Sequence, residues 1–169
     1  MSDYELPQHE MIIVAFEDET KAEQVLDSLK GMEKMDVVDL KSGAVIVRSA
    51  SGDVKIKETS DFDTKQGAIG GAIAGGVLGL LGGGLVKGAL LGAAGGAAAG
   101  KYVDLGLDDD FLKTVGESLG PGSSAIVALV DFERVEPAMA ELDQFEGGRI
   151  LKHTLSDDVY RQLSEAVED

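Results

Sequence analysis

The chain has no cysteine and no tryptophan among its 169 residues, and only three prolines. Without cysteine there are no disulfides, no thiol nucleophile and no cysteine-ligated zinc, and the composition fits a reducing compartment. Aromatic residues make up 5% of the chain. With 44% hydrophobic residues in all, its core is therefore mainly aliphatic. Positive charge is also scarce, with 15 Lys and Arg against 31 Asp and Glu, for a formal net charge of −16. Such a balance argues against nucleic-acid binding and against electrostatic docking on an anionic bilayer, because both need a cationic surface. The start of the chain, MSDYELPQHEM, is acidic and has no apolar centre. It does not read as a secretory signal, and the expected location is cytoplasmic or membrane-associated facing the cytoplasm.

Catalytic and metal-binding material is equally thin. His9 and His153 are the only histidines, too few for a triad or a metal cage without other support. The acidic groups Asp61/Asp63, Asp108–Asp110 and Asp157/Asp158 match no EF-hand spacing and read as helix caps and solvated acids. Gly95-x-x-x-x-Gly100-Lys101 resembles the start of a phosphate-binding loop. Tyr102 follows it where Ser or Thr would hold magnesium, and the motif ends a helical pattern instead of opening one. The expectation is a protein that is not an enzyme and has no metal or cofactor.

Glycine is what the chain has in abundance, 23 residues in all, and its placement is regular. Gly67, Gly71, Gly75, Gly79 and Gly83 form one ladder at four-residue spacing. Gly84, Gly88, Gly92, Gly96 and Gly100 form a second. Residues four apart share a helix face, and a face of glycines lets another backbone come close. In the first ladder an aliphatic row, Ile69, Ile73, Val77 and Leu81, lies two residues away, about 200° around the helix. Val86 and Leu90, continued by Ala94 and Ala98, repeat the row less strongly in the second. The spacing predicts two helices, with a turn at Gly82–Gly84. Ten such glycines cost on the order of 10 kcal/mol relative to alanine in isolated helices, so these helices require close partners. Each would be about 25 Å long, at the low edge of what a hydrocarbon core of about 30 Å demands. Lys65 and Lys101 flank the pair, and Lys87 lies near its turn.

Around this segment the pattern alternates between strands and amphipathic helices. Residues 11–16 read as a strand. Thr20 and Glu23 suggest a capping box for a helix carrying Ala22, Val25, Leu26 and Leu29, with Gly31 as its end. Val37–Leu40, Ala44–Arg48 and Val54–Thr59 read as a meander cut by Ser-Gly turns at 42–43 and 51–52. Asp63 and Gln66 are cap candidates for the first glycine helix. Beyond it come a short helix with Phe111, Leu112, Val115 and Leu119, a strand at 124–132, and a helix with Val135, Met139, Leu142 and Phe145. A strand Arg149–Leu155 and a last helix capped by Ser156 complete the chain. The pattern at 12–29 recurs weakly at 126–142. Two βαβ halves then give an α+β, ferredoxin-like antiparallel sandwich with helices on one face and a glycine-zipper helical hairpin inserted. The expected division is 1–63 for the first half, 64–101 for the hairpin and 102–169 for the second half.

The layout, and above all the double ladder Gly67–Gly83 and Gly84–Gly100, resembles a family of small uncharacterised bacterial and archaeal proteins described as predicted membrane proteins. That resemblance implies a central glycine-zipper hairpin between α/β flanks and no enzymatic role. The leading expectation is a non-enzymatic homo-oligomer. Its hairpins pack through the ten ladder glycines around an apolar centre that membrane lipid could enter. Two alternatives stand beside it. One is an integral membrane protein with a two-helix hairpin. The other is a regulatory module binding a small ligand on a ferredoxin-like fold, which rests on fold analogy.

Overall fold

The run HEMIIVAF is rich in β-branched residues and buried along its whole length, and it forms β1 (His9–Phe16). The computed structural model describes residues 9–35, 40–58, 69–75, 77, 107–131 and 134–168. After β1 come α1 (Lys21–Lys34), β2 (Leu40–Arg48) and β3 (Val54–Glu58). A helical stretch at 69–75, here α2, follows. The chain then forms α3 (Asp109–Ser118), β4 (Ser123–Asp131), α4 (Val135–Leu142), β5 (Arg149–Leu155) and α5 (Asp157–Glu168). It is a mixed α+β fold built on one five-stranded antiparallel sheet of order β3-β2-β4-β1-β5. Strands from both sides of the glycine segment share this sheet, so its two halves complete each other.

Neighbouring side chains on a strand point to opposite faces, and β1, β2 and β4 bury both. Ile12, Val14, Phe16, Val45, Ile126 and Ala128 pack with Val25, Leu26 and Leu29 of α1 and Ala138 and Leu142 of α4. On the other face, Met11, Ile13, Ala44, Ile46, Val127 and Leu129 pack with α2, with Val115 of α3 and with Leu163 of α5. Helices therefore cover both faces, where the sequence reading put them on one. The reason lies in the strands themselves. Near-continuous aliphatic runs such as MIIVAF and SAIVALV leave no polar face to meet water.

Several local expectations give way to stronger contacts. Ser42-Gly43 is no turn but lies within β2, where Ser42 pairs with Leu129 and Gly43 with Ala128. A register shift between Leu40 and Ser42 absorbs the irregularity. Ser51-Gly52 does turn, with Gly52 at φ +96. At the start of α1, Thr20 makes no side-chain cap. Asp18 Oδ1 instead accepts from Thr20 N at 2.7 Å and from Thr20 Oγ1 at 2.8 Å, while Glu23 pairs with Lys57 Nζ at 3.2 Å. Gly31 does not end α1, which runs to Lys34. By contrast, Asp108 Oδ1 accepts from Phe111 N at 2.7 Å and Ser156 Oγ from Val159 N at 3.1 Å, the expected caps of α3 and α5. The predicted strand at 37–39 and the Asp63/Gln66 cap lie outside the described residues.

Candidate functional site

The glycine segment enters the described structure through α2, which lies on the sheet face shared with α3 and α5. Ile69 and Val77 are fully buried and Ile73 is 1% exposed. All three belong to the same apolar cluster as Met11, Ile13, Ala44 and Ile46. These three residues of the row meet their own chain's sheet. Burying three such side chains is worth roughly 5–9 kcal/mol as an upper estimate. The glycines at 70, 71 and 75 cost about 3 kcal/mol in helix propensity. Packing on the sheet therefore outweighs the propensity cost over this stretch.

The closest approach is at Gly70. A Cβ built there would lie 2.7 Å from Ser42 Oγ, 2.8 Å from Gly43 O and 2.9 Å from Gly43 C. Two of those atoms are strand backbone, so a side chain at 70 would push the helix away from β2. The ladder position Gly75 is different. It is half-buried, and a Cβ there meets nothing within 4 Å. Gly71 is buried. Gly70 stands about 100° from the Ile69 row and Gly71 and Gly75 about 200° from it. One helix thus carries two kinds of glycine: Gly70 fits the strand, and the ladder position Gly75 looks away from it.

Gly70 and its partners Ser42 and Gly43 were not singled out by spacing, because Gly70 belongs to neither ladder. A signal was present in the Gly70-Gly71 doublet and in a glycine interrupting the β2 pattern. Of the expected interface residues, Gly71, Gly75, Ile69, Ile73 and Val77 are among those described. Gly67, Gly79, Gly83, Leu81, Val86, Leu90 and the whole second ladder, Gly84, Gly88, Gly92, Gly96 and Gly100, lie outside them.

Two polar groups sit elsewhere in the core. Glu10, 6% exposed, accepts from Thr154 Oγ1 at 3.0 Å. His9 stacks on Tyr160 of α5, with ring centroids 3.9 Å apart, and its Nε2 lies 3.6 Å from Asp131 Oδ1. His9 Nδ1 is buried without a hydrogen-bond partner among the described residues. Burial pushes the imidazole pKa down, against the pull of Asp131. No group of three or more His, Asp or Glu placed to hold a metal ion occurs among the described residues. No helix among them is long and apolar enough to cross a membrane.

Comparison with known proteins gives one match. A family model described as "Protein of unknown function (DUF1269)" covers residues 68–168, from the start of α2 to the end of α5. No curated protein and no solved structure matches the chain.

Proposed function

The chain belongs to the DUF1269 family of proteins of unknown function, and within it we propose a non-enzymatic protein that self-assembles through the glycine ladders. The observation that carries this reading is the division of labour on α2. Its aliphatic row is occupied by the sheet, so its ladder glycines lie on the remaining side, with open space at Gly75. A glycine face with room beside it suits the close approach of a second helix. That helix comes from the second ladder or from another copy, and the assembly is a homo-oligomer.

The body carrying the hairpin is ferredoxin-like in this reading. Setting β3 aside, the order β2-β4-β1-β5 with crossovers through α1 and α4 supports two interleaved βαβ halves. The segment 64–101 is then an insertion between them.

The test is the mass of the full chain by multi-angle light scattering, for the wild type and for Gly75→Leu. The expected wild-type species is larger than a monomer. Gly75→Leu lowers its mass and leaves the far-UV circular dichroism unchanged, since a Cβ at 75 meets nothing within 4 Å. A monomeric wild type, or an unchanged mass in the variant, would sink the proposal.

A further inference from the structure

The end of the sheet where β1 finishes and β4 and β5 begin holds a cleft of about 500 Å³. That is within the usual span of small-molecule pockets, about 300–1,000 Å³. Its floor includes Ala15 and Ser123, and its walls include Glu17, Glu117, Gly122 and Arg149.

Strand register explains which groups converge there. Ala15 is directly opposite Arg149 on one side and Ala125 on the other. Directly opposed residues share a face, and Ala15 and Ala125 face α2 and α3. Arg149 therefore lies on the α3 side of the sheet, as does Ser123, two residues before Ala125. The last turn of α3 supplies Glu117 to the cleft. Gly122 and Gly147 border it at φ +78 and +85, and neither has a neighbour within 4 Å of a Cβ position. These two turns place no side chain at the rim.

The charges in the cleft are unsatisfied. The side chains of Arg149, Glu17 and Glu117 are exposed, and none makes a hydrogen bond or ion pair among the described residues. A simple anion would meet two carboxylates, the carbonyl end of α3 and the field of a chain at −16. A simple cation would meet the Arg149 guanidinium. A molecule carrying both charges offers a partner of opposite sign to all three groups. We propose that this cleft binds a small zwitterion of the α-amino-acid class, its carboxylate on the Arg149 fork and its ammonium between Glu17 and Glu117. The planar guanidinium suits a carboxylate through two parallel hydrogen bonds. The proposal is independent of assembly through the glycine ladders.

Isothermal titration calorimetry of the full chain tests it, with L-alanine, L-leucine, L-lysine and L-glutamate as probes. N-acetyl-L-leucine and L-leucinamide each remove one charge. The expected result is saturable binding of at least one amino acid with Kd between about 10 µM and 1 mM. Hydrogen-exchange protection should rise at 117–122 and 146–149. Arg149→Gln, Glu117→Gln and the blocked analogues of a binding amino acid should each weaken binding by about tenfold or more. Both substituted side chains are exposed and without partners, so an unchanged circular dichroism spectrum is expected for each variant. The proposal is overturned if no amino acid binds at up to about 10 mM. It is equally overturned if binding persists undiminished in both variants, or if the blocked analogues bind as well as the parent.

Discussion

Replacing Gly70 and Gly75 with alanine, one at a time, separates the two roles of glycine on α2. Each change adds one methyl group to the same helix, so the gain in helix propensity, about 1 kcal/mol, is common to both. At Gly75 nothing among the described residues of the protomer opposes it, because the new Cβ meets nothing within 4 Å. At Gly70 the new atom would lie 2.7–2.9 Å from Ser42 Oγ and the Gly43 backbone, well inside van der Waals contact. Ser42 Oγ belongs to a side chain, but Gly43 is backbone held in β2 by its pairing with Ala128. The helix must then move by several tenths of an ångström and loosen Ile69 and Ile73 against the sheet. Overpacking of this kind costs about 1–3 kcal/mol. The difference between the two variants isolates that steric cost. Gly70→Ala should unfold at a lower urea midpoint than Gly75→Ala, by about 1–3 kcal/mol at a common m-value. Gly75→Ala should match or exceed the wild type. If Gly70→Ala were as stable as Gly75→Ala, the close docking of α2 on β2 would be refuted.

Two other outcomes follow from the same core. Ile73→Ala empties a site that is 1% exposed and should cost about 2–5 kcal/mol by urea denaturation; a loss under about 0.5 kcal/mol would mean that α2 does not rest on the sheet. His9 has its pKa lowered by burial, so the folded state binds fewer protons than the unfolded state. Its contribution to stability is full above the ordinary imidazole pKa of about 6.5 and is lost as pH falls through the lower folded value. The wild type should therefore lose more stability between about pH 7 and 5 than His9→Phe, which keeps a ring on Tyr160 but cannot titrate. Equal pH profiles for the two proteins, measured by thermal unfolding with His153 intact in both, would remove His9 as the source.

Much of the secondary structure was legible because it depends on local periodicity. The strand at Arg149–Leu155, the Asp108 and Ser156 caps and the amphipathic stripes of α1 and α4 all follow from near neighbours in sequence. The misread positions are those where distant contacts outweigh local ones. Ser42-Gly43 has the composition of a turn, but β2 is clamped between β3 and β4, and sheet pairing holds the dipeptide extended. Gly31 has the composition of a helix end, yet α1 continues past it with Met32 packed on the core. The fit of Gly70 to Gly43 joins residues that no helical or strand spacing connects.

The sequence by itself determined that 69, 73 and 77 form one apolar row, that glycines lie across the helix from it, and that the row needs burial. Only the tertiary structure decided what buries it. Hydrophobic burial is non-directional, so a stripe specifies a buried face and leaves open whether lipid, another copy or the chain's own sheet covers it. The strand register and the two-faced aliphatic sheet supplied a second apolar surface. With α1 and α4 already on one side, that surface was covered by α2, α3 and α5, and the stretch 69–75 became a helix anchored on its own domain.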